Sequence, residues 1–238
     1  MNDSAAPVID VVSEPRLVSV DQAMQWFVRG WRMFRADPGV WMAIGVVFGL
    51  IYGLSGVVTM LGPLASAMLT PVLLGGVMMG CAAQDRGEPL QFETLFAGFR
   101  YNTNNLVMVG VLTLVSTILM MLAAAALGFV GALLGSFGGR VVGIFFILVA
   151  AIAFLAVISA FAMALWYAAP LVALAHMTPV AAAKASFRAC MINWLPLSIY
   201  GLVIVVLFTL SVFTLFLGLL VLIPVLLAAH YASYRDIF

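Results

Sequence analysis

Six stretches of this chain carry no charged side chain and are rich in Leu, Val, Ala and Phe. A helix rises about 1.5 Å per residue, so about 20 apolar residues cross the roughly 30 Å hydrocarbon core of a bilayer. The stretches lack the alternation of barrel strands, and backbone groups in lipid must be paired within their own segment. The sequence therefore predicts an all-α polytopic membrane protein with six transmembrane helices, at about 40–61, 64–83, 106–134, 141–169, 195–217 and 219–234.

The composition agrees with a lipid environment. Of the 238 residues, 66% are hydrophobic and 8% are charged, whereas a soluble domain has about 45–50% and about 25%. A formal net charge of +1 gives no field that would attract nucleic acid, and no basic tract carries interleaved aromatics. The two cysteines, Cys81 and Cys190, do not support a disulfide framework or a zinc site. We expect no cofactor, no metal and no nucleic-acid partner.

The basic residues predict the orientation of the six spans. Segments on one side of the membrane contain nine of the ten, namely Arg16, Arg29, Arg32, Arg35, Arg86, Arg100, Lys184, Arg188 and Arg235. The other side holds Arg140 alone, so the positive-inside rule places both termini in the cytoplasm. Residues 1–18 mix acidic residues with Ala, Pro and Ser, which predicts a disordered cytoplasmic tail before a single integral membrane domain at 19–238.

A pattern of an aromatic residue, an arginine, four further residues and then Asp or Asn occurs three times, each time shortly before an apolar run. It begins at Trp31-Arg32, Phe99-Arg100 and Phe187-Arg188. The residues four and seven positions before each aromatic are apolar, which is typical of an amphipathic helix. We expect interfacial helices at about 20–36, 89–101 and 178–193, with Arg32, Arg100, Lys184 and Arg188 contacting lipid headgroups. The chain would then be three repeats of an interfacial helix plus a transmembrane hairpin. The alternative is three ordinary juxtamembrane anchors selected by the positive-inside rule.

Two further features belong to these predicted helices. In the first helix, Met24, Phe27, Trp31 and Phe34 recur at helical spacing and predict an apolar face that lies in the acyl boundary of the membrane. Each aromatic–arginine pair is followed by an acid or amide, and a short polar side chain there can cap the first free N–H groups of the next span. The predicted caps are Asp37, Asn105 and Asn193.

Small residues recur every four positions in two of the predicted spans. Gly45, Gly49 and Gly53 form one stripe, and Ala156, Ala160, Ala164 and Ala168 form the other. Such stripes let helix backbones approach closely in a membrane. We expect them to serve helix packing within the chain; the alternative is contact with a second copy or with a partner membrane protein.

No residue set points to catalysis. The spans hold no Asp, Glu, Lys or Arg, which argues against an ion-coupled transporter. Hydroxyl groups remain in the spans, at Thr59, Ser66, Thr70, Thr113, Ser116, Thr117, Ser159, Thr209, Ser211 and Thr214. We expect a non-enzymatic membrane protein that interacts with membrane lipids, anionic lipids among them, or with a partner protein. The alternatives are a carrier or channel for a neutral or lipid-like solute, and an intramembrane enzyme that uses His176 or His230.

Three segments carry a resemblance to known proteins. They are the residues from Leu195-Pro196 to the terminal sequence 231–238, with Pro224, and the stretches 177–181 and 186–194. From about residue 20 onward the chain resembles a family of proteobacterial six-helix inner-membrane proteins of unknown function. More distantly it is similar to the membrane domain of some glycerophosphodiester phosphodiesterases, but it carries no catalytic barrel domain, so that activity is not implied. The resemblance implies a bacterial inner membrane and six helices, and implies no substrate.

Overall fold

The computed structural model describes residues 14–58, 61–137 and 139–238. These residues form helices and no strand. The helices are α1 (Val20–Ala36), α2 (Pro38–Val57), α3 (Leu61–Asp85), a 3-10 helix (Phe92–Phe99), α4 (Thr103–Phe137), α5 (Gly139–Trp166), α6 (Ala168–Leu174), α7 (Pro179–Ile192), α8 (Trp194–Phe213) and α9 (Leu219–Ile237).

Six helical segments are long and apolar enough to cross a membrane. They are Pro38–Ser55, Leu61–Asp85, Thr103–Leu133, Ile144–Leu174, Trp194–Phe213 and Leu219–Ile237. The predicted all-α polytopic fold with six spans is therefore confirmed, and the protein is a multi-pass membrane protein. One difference is that the fourth span consists of two helices, because α5 ends at Trp166 and α6 begins at Ala168.

The tightest packing lies at one end of the bundle, where α1, the 3-10 helix and α7 cover the ends of the spans and α6 forms the end of the fourth span. Arg16 and Phe238 lie at this end, which we call the terminal end. Its large, fully buried side chains include Trp26, Trp41 and Tyr167. By contrast, α4, α5 and α8 expose many large apolar side chains along their length, as expected of helices that face lipid. Packing therefore fixes the terminal end more firmly than the opposite end.

Part of the predicted disordered tail is ordered. The backbone N–H of Arg16 donates to the carbonyl of Ile237 at 2.7 Å. Val18 is buried, and its N–H donates to the Asn193 side chain at 2.8 Å. The prediction was therefore wrong for 16–18, because the backbone of this segment bonds residues that are distant in sequence. Residues 1–13 lie outside the described part of the chain.

The face that the first amphipathic helix buries in the protein overlaps only partly with the predicted apolar face. Its buried residues are Ala23, Trp26, Gly30 and Phe34. On the predicted apolar face, Phe34 is thus buried within the protein, whereas Trp31 is 46% exposed. The close approach of α1 to α9 at Gly30, and not hydrophobicity alone, determines which residues of α1 are buried. The second predicted element is also shorter than expected, since Phe92–Phe99 forms a 3-10 helix.

Candidate functional site

Each amphipathic helix packs on the second span of a different hairpin. Helix α1 lies against α9, the 3-10 helix lies against α3, and α7 lies against α5 and α6. Taken in order, the helix that precedes one hairpin covers the hairpin before it, and α1 closes the circle on the last hairpin. The three elements thus occupy comparable positions around the terminal end.

The residue before each aromatic–arginine pair is small and buried: Gly30, Gly98 and Ser186. A Cβ added to Gly30 would lie 2.5 Å from the Val225 carbonyl oxygen of α9. A Cβ added to Gly98 would collide with the Val72 carbonyl oxygen of α3. The sequence signal is therefore small–aromatic–arginine, and its first member marks where each element touches the backbone of a span. Sequence reasoning missed this residue because it looked for apolar side chains.

Ser186 makes the corresponding contact in the third element through its hydroxyl. Its Oγ donates to the Met163 carbonyl at 2.6 Å and accepts from the Tyr167 N–H at 2.9 Å. In an uninterrupted helix this carbonyl and this N–H would bond each other. A side chain inserted into the helical ladder is a known cause of a break, and it explains why α5 and α6 are separate.

Replacing Ser186 with alanine is expected to destabilise the protein by about 1–3 kcal/mol. The buried Tyr167 N–H loses its partner, and the Met163 carbonyl keeps only the weak Cys190 thiol donor. The measurement is thermal unfolding in detergent. Ser136→Ala is the matched control, since Ser136 is exposed and its hydroxyl bonds the Ala132 carbonyl of its own helix. Equal stability of the two variants would show that the ladder closes without the hydroxyl.

The aromatic and basic side chains of the three elements point away from the protein. Trp31, Phe99 and Phe187 are 46%, 44% and 39% exposed. The predicted headgroup contacts are exposed as well, and within the described part of the chain they form no ion pair: Arg32, Arg100, Lys184 and Arg188. An exposed aromatic ring beside an unpaired cation is the combination that suits the membrane–water interface.

Three other arginines have carboxylate partners. Arg29 pairs with Asp236 at 2.6 Å, and the same carboxylate accepts from the Trp26 indole at 2.9 Å. The remaining pairs are Arg86 with Glu88 at 2.9 Å and Arg235 with Asp85 at 3.8 Å. The basic residues at this end therefore divide into a paired set and an unpaired set.

The predicted capping bonds of Asp37 and Asn193 are wrong. Both residues occupy N-cap positions, but neither side chain bonds the first turn of the following helix. Asp37 instead accepts from the Gln84 side chain at 2.9 Å and from the Leu90 N–H at 3.1 Å. Asn193 accepts from Val18 and donates to the Arg16 carbonyl at 2.9 Å. Both side chains tie separate segments together, which satisfies more buried groups than a local cap would.

The predicted cap at Asn105 is also wrong, because α4 begins two residues earlier, at Thr103. The Asn105 side chain donates to the Asn102 side chain at 2.8 Å. Asn102 in turn donates to the Val172 carbonyl of α6 at 2.7 Å, from a backbone conformation with φ 54°. The pair thus links the start of α4 to α6.

The glycine stripe packs closely at one position only. A Cβ on Gly45 would lie 2.8 Å from the Pro224 ring of α9, whereas a Cβ on Gly49 or Gly53 would meet nothing within 4 Å. Both of these glycines line a cavity instead. The packing prediction is therefore right for Gly45 and wrong for the other two.

The alanine stripe behaves similarly. Ala168 is buried in α6 and Ala164 is half-buried, but Ala156 and Ala160 are exposed on α5. Close packing along the whole stripe is thus wrong within the chain. The stripe is interrupted because α5 ends at Trp166, before Ala168.

One contact is missing from the circular arrangement. The second span of one hairpin packs on the first span of the next hairpin in two cases, α3 with α4 and α9 with α2. The third such pair, α5 with α8, makes no comparable contact in the described residues. A cavity of about 240 Å³ lies there instead, with Met163, Trp166 and Tyr200 in its lining. The bundle therefore has a lateral gap between α5 and α8.

This gap adjoins a central cavity of about 820 Å³ between α2, α3, α5, α8 and α9. The two cavities share Ala162, Trp166 and Tyr200. Phe208 lines the central cavity and is nevertheless 47% exposed, so the cavity is open to the surroundings. Its size falls within the range of about 300–1,000 Å³ that ligand sites occupy.

The lining of the central cavity is mostly apolar. Tyr52 and Thr70 also line it, and their hydroxyls lie 3.3 Å apart and bond each other. Among the described residues no Asp, Glu, Lys or Arg lines this cavity. The arrangement suits an uncharged or apolar ligand, since an unpaired charge in such a lining is costly.

A third cavity, of about 370 Å³, shares Tyr52, Thr70, Leu74 and Leu165 with the central one. Its lining includes four of the span hydroxyls noted in the sequence, Ser66, Thr70, Thr113 and Thr117. Apart from Thr70, these hydroxyls donate to carbonyls of their own helices. Such local bonds are the usual state of Ser and Thr in membrane helices.

The two histidines have different surroundings. His176 is exposed between α6 and α7, with φ 53°. His230 lies in α9, is 9% exposed and lines the central cavity. The structure therefore does not bring the two rings together in one site.

The described residues contain no group of three or more His, Cys, Asp or Glu side chains placed to hold a metal ion. Cys190 lies in α7, outside the spans, and burial raises the pKa of its thiol to about 12. A thiol with so high a pKa is almost entirely protonated at neutral pH and is a poor nucleophile. We expect Cys190 to react slowly with thiol reagents in the folded protein.

Known proteins give no guide to the role of this site, which is therefore interpreted from its own geometry. No family model, no curated protein and no solved structure matches the chain. The membership expected from 177–181, 186–194 and the terminal sequence stays a prediction.

Proposed function

We propose that this protein is a non-enzymatic, lipid-binding protein of the bacterial inner membrane, with both termini in the cytoplasm. In this proposal the central cavity holds the apolar chain of a lipid-like molecule, and the outward-facing basic residues contact the headgroups of surrounding lipids. The observation that carries it is the apolar, charge-free cavity of about 820 Å³, reached through the gap between α5 and α8. A chain enters such a cavity from the bilayer without crossing water.

The unpaired basic residues support the second half of the proposal. Arg32, Arg100 and Arg188 each follow an exposed aromatic ring and lie at the same end of the bundle. Nine of the ten Lys and Arg residues belong to that side, which favours its assignment to the cytoplasm. The circular packing of α1, the 3-10 helix and α7 also supports an origin by internal triplication.

The cavity proposal is tested by measuring lipid that stays with the purified protein. After extensive detergent washing, we expect about one molecule of a specific lipid per chain, identified by mass spectrometry of the organic extract. Lipid in the same proportions as the whole membrane extract, or none at all, would contradict the proposal.

Replacing Arg32, Arg100 and Arg188 together with glutamine is expected to weaken the attraction of anionic lipid to the reconstituted protein. Each basic residue near an anionic surface contributes about 1 kcal/mol, so the triple variant loses roughly 3 kcal/mol, or about 100-fold. The measurement is the enrichment of phosphatidylglycerol around the reconstituted protein.

The matched control replaces the three paired arginines, Arg29, Arg86 and Arg235, with glutamine. The change in net charge is the same, but these side chains already have carboxylate partners. If both triple variants lose anionic lipid equally, net charge alone attracts it and the outward-facing set has no special role.

The second candidate function is a carrier or channel for a neutral solute. The hydroxyls of Ser66, Thr113 and Thr117 in the adjoining cavity favour it. Their bonds to their own helices leave fewer free groups to replace the hydration of a polar solute, which is why lipid is the leading proposal. Glycerol flux in proteoliposomes discriminates between the two, because a lipid-binding protein leaves this flux unchanged.

A further inference from the structure

His230 is the polar side chain of the interior that the fold leaves incompletely satisfied. Its Nε2 is buried and has no hydrogen-bond partner among the described residues. The ring is held firmly, since it stacks parallel on Tyr167 with centroids 5.3 Å apart and meets Trp166 edge-on at 5.3 Å. A buried polar atom without a partner costs about 1–3 kcal/mol. Such an atom in a native fold requires an explanation.

The other ring nitrogen is occupied because of the break between α5 and α6. Pro170 has no N–H, so the Trp166 carbonyl lacks its usual partner four residues later. The backbone of Trp166 interacts with the His230 ring. Since Nε2 has no hydrogen-bond partner, we assign this interaction to Nδ1, whose proton would face the carbonyl. With its proton on this nitrogen, the neutral imidazole presents Nε2 as an acceptor.

The surroundings of this acceptor restrict what it can bind. His230 lines the central cavity together with Trp166 and Tyr200, close to the lateral gap. The lining also contains the hydroxyls of Tyr52 and Thr70, which already bond each other. A suitable ligand is therefore apolar along most of its length, carries no charge, and has one hydrogen-bond donor near one end.

We propose that His230 Nε2 accepts a hydrogen bond from the free hydroxyl of an uncharged lipid whose chain occupies the central cavity. This inference rests on the proposed function and narrows it to lipids such as long-chain alcohols and diacylglycerols. A phospholipid headgroup in the same place would bring a phosphate against a lining without cations.

The test compares octadecan-1-ol with its methyl ether, which has the same chain but no donor. Both are titrated into the purified full-length protein and the bound fraction is measured by native mass spectrometry. The wild type is expected to bind the alcohol about 3- to 10-fold more tightly than the ether, as one net hydrogen bond predicts. In His230→Phe this preference disappears while the affinity for the ether is retained, because phenylalanine preserves the ring contacts.

His230→Gln is the second variant, since its side-chain oxygen restores an acceptor and is expected to recover part of the preference. Equal binding of alcohol and ether by the wild type, or a preference that survives in His230→Phe, overturns the role of His230 and leaves the lipid-binding cavity standing. Failure of both probes to bind overturns the cavity proposal as well. If His230→Phe does not fold, the wild-type comparison and His230→Gln decide the matter.

Discussion

Gly30→Leu is expected to release α1 from α9 and to destabilise the terminal end. A Cβ at this position would lie 2.5 Å from the Val225 carbonyl oxygen and 2.8 Å from the Ala229 nitrogen. These atoms belong to the backbone of a helix and cannot move independently, so α1 must shift as a body. The shift uncovers Trp26, which is fully buried, and loss of a buried Trp contact costs about 3–5 kcal/mol.

Thermal unfolding and trypsin cleavage within α1 measure this effect. Gly39→Leu is the control, because Gly39 lies in the first turn of α2 and a Cβ there meets nothing within 4 Å. Gly30→Leu should be cleaved at Arg29, Arg32 and Arg35 much faster than this control. Equal cleavage and equal stability would contradict the close packing of α1 on α9.

Gly53→Leu is expected to abolish most lipid binding without disturbing the fold. A Cβ at Gly53 meets nothing within 4 Å, and the residue lines the central cavity. A leucine side chain there takes the place of about four methylene groups of the ligand. At about 0.8 kcal/mol each, the loss is roughly 3 kcal/mol, or about 100-fold in affinity.

Binding is measured with octadecan-1-ol, and Gly49→Leu should give a similar loss, since Gly49 also lines the cavity without a close neighbour. Gly128→Leu is the matched control on α4, where the glycine is exposed and a Cβ meets nothing within 4 Å. If Gly53→Leu and Gly128→Leu bind the alcohol equally well, the ligand does not occupy the central cavity.

The six spans could be predicted because length and hydropathy alone determine whether a helix can cross a bilayer. The three amphipathic elements could be located for a similar reason, since periodicity and basic residues mark them. Their buried faces could not be predicted from hydrophobicity. Gly30, Gly98 and Ser186 are buried because they allow contact with the backbone of another span, and the sequence does not show which span that is.

The remaining errors share one physical cause: the neighbours of these residues are set by how the helices pack, and not by the local sequence. Asp37, Asn105 and Asn193 have partners distant in sequence or displaced from the expected helix start, so a local capping rule assigned them wrongly. Gly49 and Gly53 face a cavity because α8 stands away from α5, an arrangement that no pattern within α2 reveals. His230 could be singled out as a rare polar residue of the spans. Its neighbours Trp166 and Tyr167 lie at the break between α5 and α6, which the sequence alone did not predict.

Photo-crosslinking of a long-chain alcohol with a diazirine in its chain tests most directly whether lipid occupies the central cavity. The protein is labelled in membranes and the modified residues are identified by peptide mass spectrometry. We expect labels on the cavity-lining residues Ile204, Ile223 and Leu227. Labels confined to outward-facing residues such as Leu148, Leu155 and Val205 would show that the alcohol stays in the surrounding bilayer and would contradict a lipid-binding cavity.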